Sequence, residues 1–321
     1  MYRHVARRLL LLIPTLLGMS IIVFMSVRLL PGDIIDVLTA GDLSITDEQL
    51  RQVREQLGLT GSYPEQYLRW LGDAVRGDFG VSLRNTTPVS ETLGVAIPIT
   101  LEIVLLGLLI ATAVGVPLGV ISAVRRDSSR DYASRLAGLI GISIPSFWLA
   151  TLLLLFTSRV FGWVPPFSYV SPFDDPWVNF QQFILPALSV SVFTMAIVMR
   201  MVRATMLEVL SQDYVRTAQA KGLNEVVIAL RHALPNAMLP ILTILGLRFG
   251  QILAGAIVVE GIFSWPGMGS AVLSAISSRD LPVISAYVLL AGVFFVIVNL
   301  LTDLSYVLLD PRIRLGASGR S

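Results

Sequence analysis

The residue types that most often perform catalysis are scarce in this chain. It contains no cysteine and only two histidines, His4 and His232, which stand far apart in the sequence. Disulfides, thiolate metal sites and a cysteine nucleophile are therefore excluded, and no histidine cluster is available for a metal. The only lysine, Lys221, follows Gln219-Ala220, so the chain cannot contain a Gly-x-x-x-x-Gly-Lys-Ser/Thr phosphate-binding loop. We expect no catalytic residue, no metal site and no cofactor bound by this chain.

Charged side chains inside long apolar segments are the second group that could do chemistry. They are Glu102, Arg248, Glu260 and Asp303. A charge at membrane depth is costly unless it faces a cavity, the interior of a helix bundle or a partner of opposite charge. We expect each of these residues either to line a pathway or to pair between helices. Glu102 and Glu260 stand near the ends of their apolar segments, where contact with water is a third interpretation.

Residues 211–235, here called the polar segment, separate two apolar stretches and carry strong helix signals. Ser211 predicts the N-cap of a helix that runs to Lys221. Asp213 and Lys221 would occupy its first and last turns, where the helix dipole favours a negative and a positive charge respectively. Gly222 is placed to end this helix with a residue in the left-handed region.

A second helix is predicted directly after this glycine corner. Asn224 is placed to cap it, and we expect it to end before Pro235 because proline disfavours helical geometry in the preceding residue. Tyr214, Val215 and Ala218 would form an apolar patch on the first helix. The polar segment is therefore predicted to be a folded docking surface.

The composition places the rest of the chain in a membrane. Of its 321 residues 54% are hydrophobic and 14% charged, with a mean hydropathy of +0.74, which is more apolar surface than one soluble core could cover. The net charge of +2 does not favour a nucleic-acid-binding face. Six apolar stretches predict six transmembrane helices, near Leu9–Leu30, Ile99–Val124, Leu136–Ser158, Phe183–Val202, Leu239–Val259 and Val283–Leu309.

The distribution of arginine predicts the orientation of these helices. Arginines are concentrated at the N-terminus, in the second and fourth connections and at the C-terminus. Because positively charged short loops stay in the cytoplasm, both termini and the polar segment are expected on the cytoplasmic side.

The long first connection, residues 31–94, predicts a small helical domain outside the cytoplasm. A capping box at Thr46 begins one helix, which ends at Gly58. A second helix is expected from Pro64 to Gly77. The third connection is aromatic and proline-rich, which is typical of an interfacial aromatic belt or of the lining of an outer gate.

Small residues recur at every fourth position within the predicted spans. In lipid, such residues let helix backbones approach closely. We expect helix packing along these faces, which include Gly107, Ala111, Gly115 and Gly119 in the second span, Ala133, Ala137 and Gly141 near the third, and Gly246 and Gly250 in the fifth.

The order of short motifs along the chain resembles that of the permease subunits of binding-protein-dependent ABC importers. In the polar segment, Arg216-Thr-Ala218 stands at the EAA positions of that family's cytoplasmic coupling loop, with Arg216 in place of the glutamate. Gly222 is the family's glycine and His232-Ala-Leu-Pro235 closes the loop. Further motifs resemble the B-type permease of the dipeptide, oligopeptide and nickel branch: Leu30-Pro-Gly-Asp33, Gln66-Tyr-Leu-Arg-Trp70, Gly77-Asp-Phe-Gly-Val-Ser82, Val259-Glu, Phe263-Ser-Trp-Pro-Gly267 and Leu309-Asp-Pro-Arg-Ile-Arg314.

The resemblance implies an all-α polytopic membrane protein with the type I ABC importer transmembrane fold. Its parts would be a tip and first helix (1–30), an extracytoplasmic loop domain (31–94), a permease domain (95–310) and a cytoplasmic tail (311–321). The residues implied to contact the ATPase are Asp213, Tyr214, Arg216, Thr217, Ala218, Lys221, Gly222, His232, Leu234 and Pro235.

The resemblance also implies partners and a location. A second permease subunit, one or two ABC ATPase subunits that use ATP and magnesium, and an extracytoplasmic solute-binding protein are expected, with no nucleic acid. The location implied is the cytoplasmic membrane of a bacterium or archaeon.

Di- or oligopeptides are the expected substrates, and nickel chelates, glutathione, haem or another small solute are the alternatives. A secondary transporter is the alternative from another class, but it would show inverted repeats and more buried ionisable groups. An intramembrane enzyme would need a motif such as H-E-x-x-H or G-x-S-x-G, and neither is present.

Overall fold

The structure is a computed structural model that describes residues 2–29, 48 and 60–309. The described residues are helical and contain no β-strand. We number the helices α1 to α11, with one π-helix between α8 and α9. Their bounds are Tyr2–Arg28 (α1), Tyr63–Val75 (α2), Val89–Val124 (α3), Ser129–Ser143 (α4), Ser146–Phe161 (α5), Pro176–Leu210 (α6), Asp213–Ala220 (α7), Glu225–Val227 (α8), Ile228–Ala233 (π), Leu234–Ile262 (α9), Met268–Ser278 (α10) and Leu281–Leu309 (α11).

The membrane-spanning capacity of these helices agrees with the predicted class. Within the described residues, four segments are long and apolar enough to cross a bilayer: Val89–Val124, Pro176–Leu210, Pro240–Ile262 and Leu281–Ser305. Helices α4 and α5 give a fifth span if the two together cross the bilayer once. The apolar part of α1, Leu10–Ser26, is shorter than these spans. The predicted count of six therefore stays a prediction, as does the orientation of the termini.

The third predicted span differs from the expectation of one helix over Leu136–Ser158. The structure divides it into α4 and α5, which are bent by 103° relative to each other. Ile144 at the break is extended, with φ −88° and ψ 119°, because the ring of Pro145 disfavours helical geometry in the residue before it. Pro145 then precedes the first residue of α5.

The described residues divide into two compact units. One contains Thr100–Trp265 and the end of α11 from Ile297. Its core joins α3, α6, the π-helix and α9 through Val120, Ala123, Val198, Val202, Met206, Ala229, Ala233, Ala237 and Ile241. The small residues of α3 bring its backbone close to α6, since a Cβ added at Gly119 would lie only 2.7 Å from the carbonyl oxygen of Met199. This contact agrees with the helix packing predicted for the second span.

The other unit contains the described part of Arg3–Ile99 together with Pro266–Val296. The start of α3, α10 and the start of α11 share a core of Val89, Leu93, Ala96, Met268, Ala275, Val283, Ala286 and Tyr287. Helix α2 packs on α1 through the rings of Tyr67 and Trp70, whose centroids lie 5.5 and 5.7 Å from that of Phe24.

Helix α2 is the longest helical part of the first connection within the described residues. It begins at Tyr63, and Gly77 after its end has φ +85°, in agreement with the predicted helix from Pro64 to Gly77. Of the predicted helix that begins at Thr46 and ends at Gly58, the structure describes only Glu48, which is helical; the rest of it and the tail 311–321 lie outside the described residues. Helix α3 begins at Val89, so the predicted boundary between residues 94 and 95 falls inside a helix. The second span was predicted from apolar residues alone, so the prediction left out the more polar first turns of this helix.

Candidate functional site

Helix α7 forms the first half of the polar segment. Its N-cap is Gln212, and Asp213 lies in the first turn, where a carboxylate stabilises the positive end of the helix dipole. The prediction that Ser211 caps this helix is wrong. Ser211 ends α6, and its hydroxyl donates a hydrogen bond to the Glu208 carbonyl at 2.7 Å. Arg216 and Asp213 are exposed and lie 3.6 Å apart, so this ion pair contributes little to stability.

Gly222 makes the sharp corner after α7. Its φ of +78° lies in the left-handed region, as predicted, with Lys221 as the C-cap. The amide of Leu223 donates to the Ala218 carbonyl at 3.3 Å, and the amide of Gly222 donates to the Gln219 carbonyl at 2.9 Å. These two bonds are the Schellman motif, which satisfies the carbonyl groups at the end of a helix.

The second half of the polar segment begins as predicted and ends differently. The Asn224 side chain accepts a hydrogen bond from the Val226 amide at 2.9 Å and so caps α8. The expected helix end before Pro235 is wrong, because the chain continues through the π-helix into α9. Pro235 lies in the first turn of α9. In the wider π turn the Leu234 amide bonds to the Ala229 carbonyl, and the helix thus accommodates a proline that has no amide hydrogen.

The apolar face of α7 packs inside the polar segment. Val215 and Ala218 are buried with Ile228, and Leu210 packs against them. The prediction of a docking patch is therefore wrong for Val215 and Ala218, because their side chains pack against Ile228 and Leu210 inside the corner.

Tyr214 is exposed over 44% of its surface and joins the two halves of the polar segment. Its hydroxyl donates to the His232 carbonyl at 3.4 Å and accepts from the Asn236 side chain at 3.1 Å. Among the predicted residues, Tyr214 and His232 are thus brought together, while Leu234 and Pro235 lie in the first turn of α9.

The outer face of the polar segment combines basic and apolar side chains. Its exposed side chains include Arg216, Thr217, Lys221, Leu223, Val226, Val227, Leu230 and Arg231, and the carboxylates of Asp213 and Glu225 are exposed as well. Single exposed apolar residues are ordinary, but four of them beside three cations on one folded corner form a surface suited to a partner protein. Leu223, Val226, Val227 and Leu230 were not predicted. The apolar run after Asn224 was the available signal.

Glu102 and Glu260, two of the four charged residues of the apolar segments, have different hydrogen-bond partners. Glu102 accepts hydrogen bonds from the Tyr169 hydroxyl at 2.9 Å and from the Asn179 side chain at 2.8 Å. Glu260 is fully buried and accepts from the Thr100 hydroxyl at 2.5 Å. Asp303 is half-buried on α11. Glu102 and Glu260 therefore bind polar groups of other helices or connections, and the prediction that the four charged residues line a pathway or pair between helices stays a prediction.

Tyr169 belongs to the aromatic third connection. Burial, followed by its hydrogen bond to the Glu102 carboxylate, raises the pKa of Tyr169 to about 12. The neutral phenol is therefore a stable donor at physiological pH, and it fixes this connection to α3. Phe173 and Trp177 of the same region are exposed, which is compatible with the predicted aromatic belt.

A buried ion pair at one end of the first unit was missed by sequence reasoning. Arg203 of α6 donates to both carboxylate oxygens of Asp131 of α4 at 2.8 Å, and Asp131 is fully buried. The Ser122 hydroxyl and the Asp127 amide donate to the same carboxylate. The only local signal was Ser128, three residues before Asp131 as in a capping box. Such a signal predicts a helix start and not a partner on α6.

Comparison with known proteins gives matches over most of the chain. The family model described as "Binding-protein-dependent transport system inner membrane component" matches residues 115–315. The model for the N-terminal part of such membrane components matches residues 1–104.

Three relatives align with nearly the full length of the chain. The dipeptide transport system permease protein DppB of Alkalihalophilus pseudofirmus is 38% identical over 98% of this chain and 100% of its own. The oligopeptide transport system permease protein AppB of Bacillus subtilis is 39% identical, and the glutathione transport system permease protein GsiC of an Escherichia coli strain (O1:K1 / APEC) is 38% identical. Each of these two alignments covers 98% of this chain and 99% of the relative.

Among solved structures, an inward-facing form of the MetNI methionine ABC transporter aligns with a TM-score of 0.48 at 16% identity. The alignment covers 78% of this chain and 100% of the other.

Proposed function

Since the chain belongs to the family of binding-protein-dependent transport system inner membrane components, we propose that it is the permease subunit of an ABC importer for di- and oligopeptides. Relatives named as dipeptide and oligopeptide permeases, at 38% and 39% identity over almost the full length, support the peptide substrate. Glutathione, itself a short peptide, is the second candidate because a glutathione permease is 38% identical.

The observation that carries the coupling role is the exposed corner of the polar segment. Its shape is fixed by the Schellman motif at Gly222, by the Asn224 cap and by the buried face of Val215 and Ala218. A corner with so many internal contacts moves as one piece. Pressure on it would pass into α9 and α6, which share its core.

In the proposed mechanism, this corner docks on a separate ABC ATPase subunit on the cytoplasmic side. Closure of the ATPase pair on ATP would displace the corner and switch the spans between inward-open and outward-open states by a rigid-body movement. Because this chain has no phosphate-binding loop, ATP and magnesium are used by the partner. A second permease subunit would complete the pathway within the type I fold, and a solute-binding protein would deliver the peptide from outside.

Replacing Val226 by arginine tests the docking surface. Val226 is 59% exposed on the corner, so the variant folds but places a charge in the apolar contact. We expect ATPase co-purification and ATP-driven peptide uptake to fall at least tenfold. Val75→Arg is the matched control, since Val75 is 81% exposed on α2, and it should behave like the unsubstituted chain. Normal ATPase binding by Val226→Arg would contradict this face as the docking surface.

A further inference from the structure

A cavity opens beside the break between α4 and α5. Its volume is about 390 Å³, and its wall includes Ile144, Ser146, Phe193, Gln251 and Gly255. All of these residues belong to the same compact unit. The volume lies within the range of small-molecule sites, roughly 300 to 1,000 Å³. The residues at the 103° break, Ile144 and Pro145, form part of its wall.

Arg248 lies at the edge of this cavity. Gln251, Ile252 and Gly255 of α9 line the wall, and Arg248 precedes Gln251 by three residues and Ile252 by four, so it shares their helix face. The Arg248 guanidinium lies 5.6 Å from the ring centroid of Phe193, another wall residue, and donates a hydrogen bond to the Gln251 side chain. The positive charge is therefore held beside the cavity by two of its lining residues.

Arg248 forms no ion pair with any carboxylate in the described part of the chain. It lies within the apolar segment Pro240–Ile262, where a cation without a counter-charge is costly. The amide oxygen of Gln251 and the face of Phe193 compensate only part of that cost. An anionic group in the cavity would supply the missing counter-charge.

The opposite wall is the start of α5. Pro145 is the N-cap residue of α5 and makes no side-chain capping bond. Its carbonyl accepts the first intrahelical hydrogen bond, from the Leu149 amide. The amides of the first turn, from Ser146 onward, therefore have no acceptor within the helix. The positive end of α5 thus lines the cavity, and the Arg248 guanidinium lies beside it against Phe193 and Gln251.

We infer that this cavity is a subsite of the transport pathway in which Arg248 binds the terminal carboxylate of a peptide in transit. The inference rests on the proposed function, and it names the part of the peptide that this chain recognises. Gln251 positions the guanidinium, and Ile144 and Ile252 provide an apolar wall for the adjacent side chain. Recognition of the terminal carboxylate suits a transporter of peptides with varied sequences, because every unmodified linear peptide carries that group.

Binding to the purified complex of this chain with its permease, ATPase and binding-protein partners tests the inference. In one arm the binding protein is omitted, so that only the membrane complex can bind the peptide. The thermal stability of the detergent-purified complex is then measured with trialanine and with trialanine amide. We expect the complex to be stabilised by the free acid and not by the amide. Arg248→Gln should abolish the stabilisation by trialanine, and Arg248→Lys should retain part of it because the charge remains.

Two further variants serve as controls for folding and for location. Arg159→Gln makes the same chemical change at an exposed position at the end of α5 and should behave like the unsubstituted chain. Gly255→Leu fills the cavity without a backbone clash, since an added Cβ meets only the Ser146 hydroxyl at 3.9 Å. This variant should assemble normally and lose the response to trialanine.

Uptake of labelled trialanine by the complete transporter in proteoliposomes separates the two hypotheses. We expect Arg248→Gln to reduce uptake at least tenfold with unchanged ATPase co-purification. If the unsubstituted transporter takes up trialanine but Arg248→Gln is equally active, or if acid and amide stabilise the complex equally, the subsite is refuted and the proposed function stands. If the unsubstituted transporter takes up no trialanine, the peptide function fails and the subsite with it.

Discussion

Gly222 carries the most demanding backbone conformation of the polar segment. At φ +78° a β-branched residue is strongly disfavoured, whereas asparagine is tolerated in the left-handed region. We expect Gly222→Val to reduce peptide uptake at least tenfold while membrane insertion stays normal, and Gly222→Asn to retain most of the uptake. Uptake assays and immunoblots of membrane fractions measure both quantities. Near-normal uptake by Gly222→Val with the ATPase still bound would exclude a rigid corner as the coupling element.

The residues that were predicted correctly at this site depend on local chemistry. Gly222 and Asn224 follow from turn and cap preferences within a few neighbours. The burial of Val215 and Ala218 was not predictable, because it depends on Ile228 and Leu210 from other elements. For the same reason, the sequence did not identify Asp131 as the buried partner of Arg203.

At the scale of the helices, close packing of α3 on α6 is the feature most open to test. A valine at Gly119 would place its Cβ 2.7 Å from the Met199 carbonyl oxygen, so one of the helices must shift. Such overpacking costs about 1 to 3 kcal/mol. We expect Gly119→Val to lower the unfolding temperature of the protein in detergent and to reduce its yield.

Gly94 provides the matched control for this helix contact. It lies in the same helix, α3, and an added Cβ there meets nothing within 4 Å. Gly94→Val should therefore unfold at nearly the temperature of the unsubstituted protein. Equal losses in the two variants would mean that helix propensity, and not the contact with α6, is responsible.

The elements themselves were largely predictable, and their junctions were not. Apolar runs of about 20 residues identify the spans, but the break within the third span was not predicted. A proline can bend a helix, break it or be accommodated in it, depending on how neighbouring groups satisfy the carbonyl groups that lose their hydrogen bonds. At Pro145 the chain breaks by 103°, whereas at Pro235 a π turn preserves the helix.

For the molecule as a whole, the orientation in the membrane is the prediction to test first. The absence of cysteine allows single cysteines to be labelled without background. In right-side-out vesicles, a membrane-impermeant thiol reagent should label Val75→Cys and spare Ser211→Cys, and inside-out vesicles should give the reverse result. The unsubstituted chain should give no signal from either side. Labelling of Ser211→Cys from outside would place the polar segment on the wrong side for an ATPase.

The π-helix Ile228–Ala233 has a consequence for how a push at the corner reaches the pathway. A π turn holds one residue more than an α turn. If it released that residue to become α-helical, everything downstream in α9 would turn by about 100° and advance by about 1.5 Å. Arg248, further along the same helix, would then rotate away from the cavity. A short axial movement of the corner in the cytoplasm would in this way become a rotation of α9 at the depth where the peptide is proposed to bind.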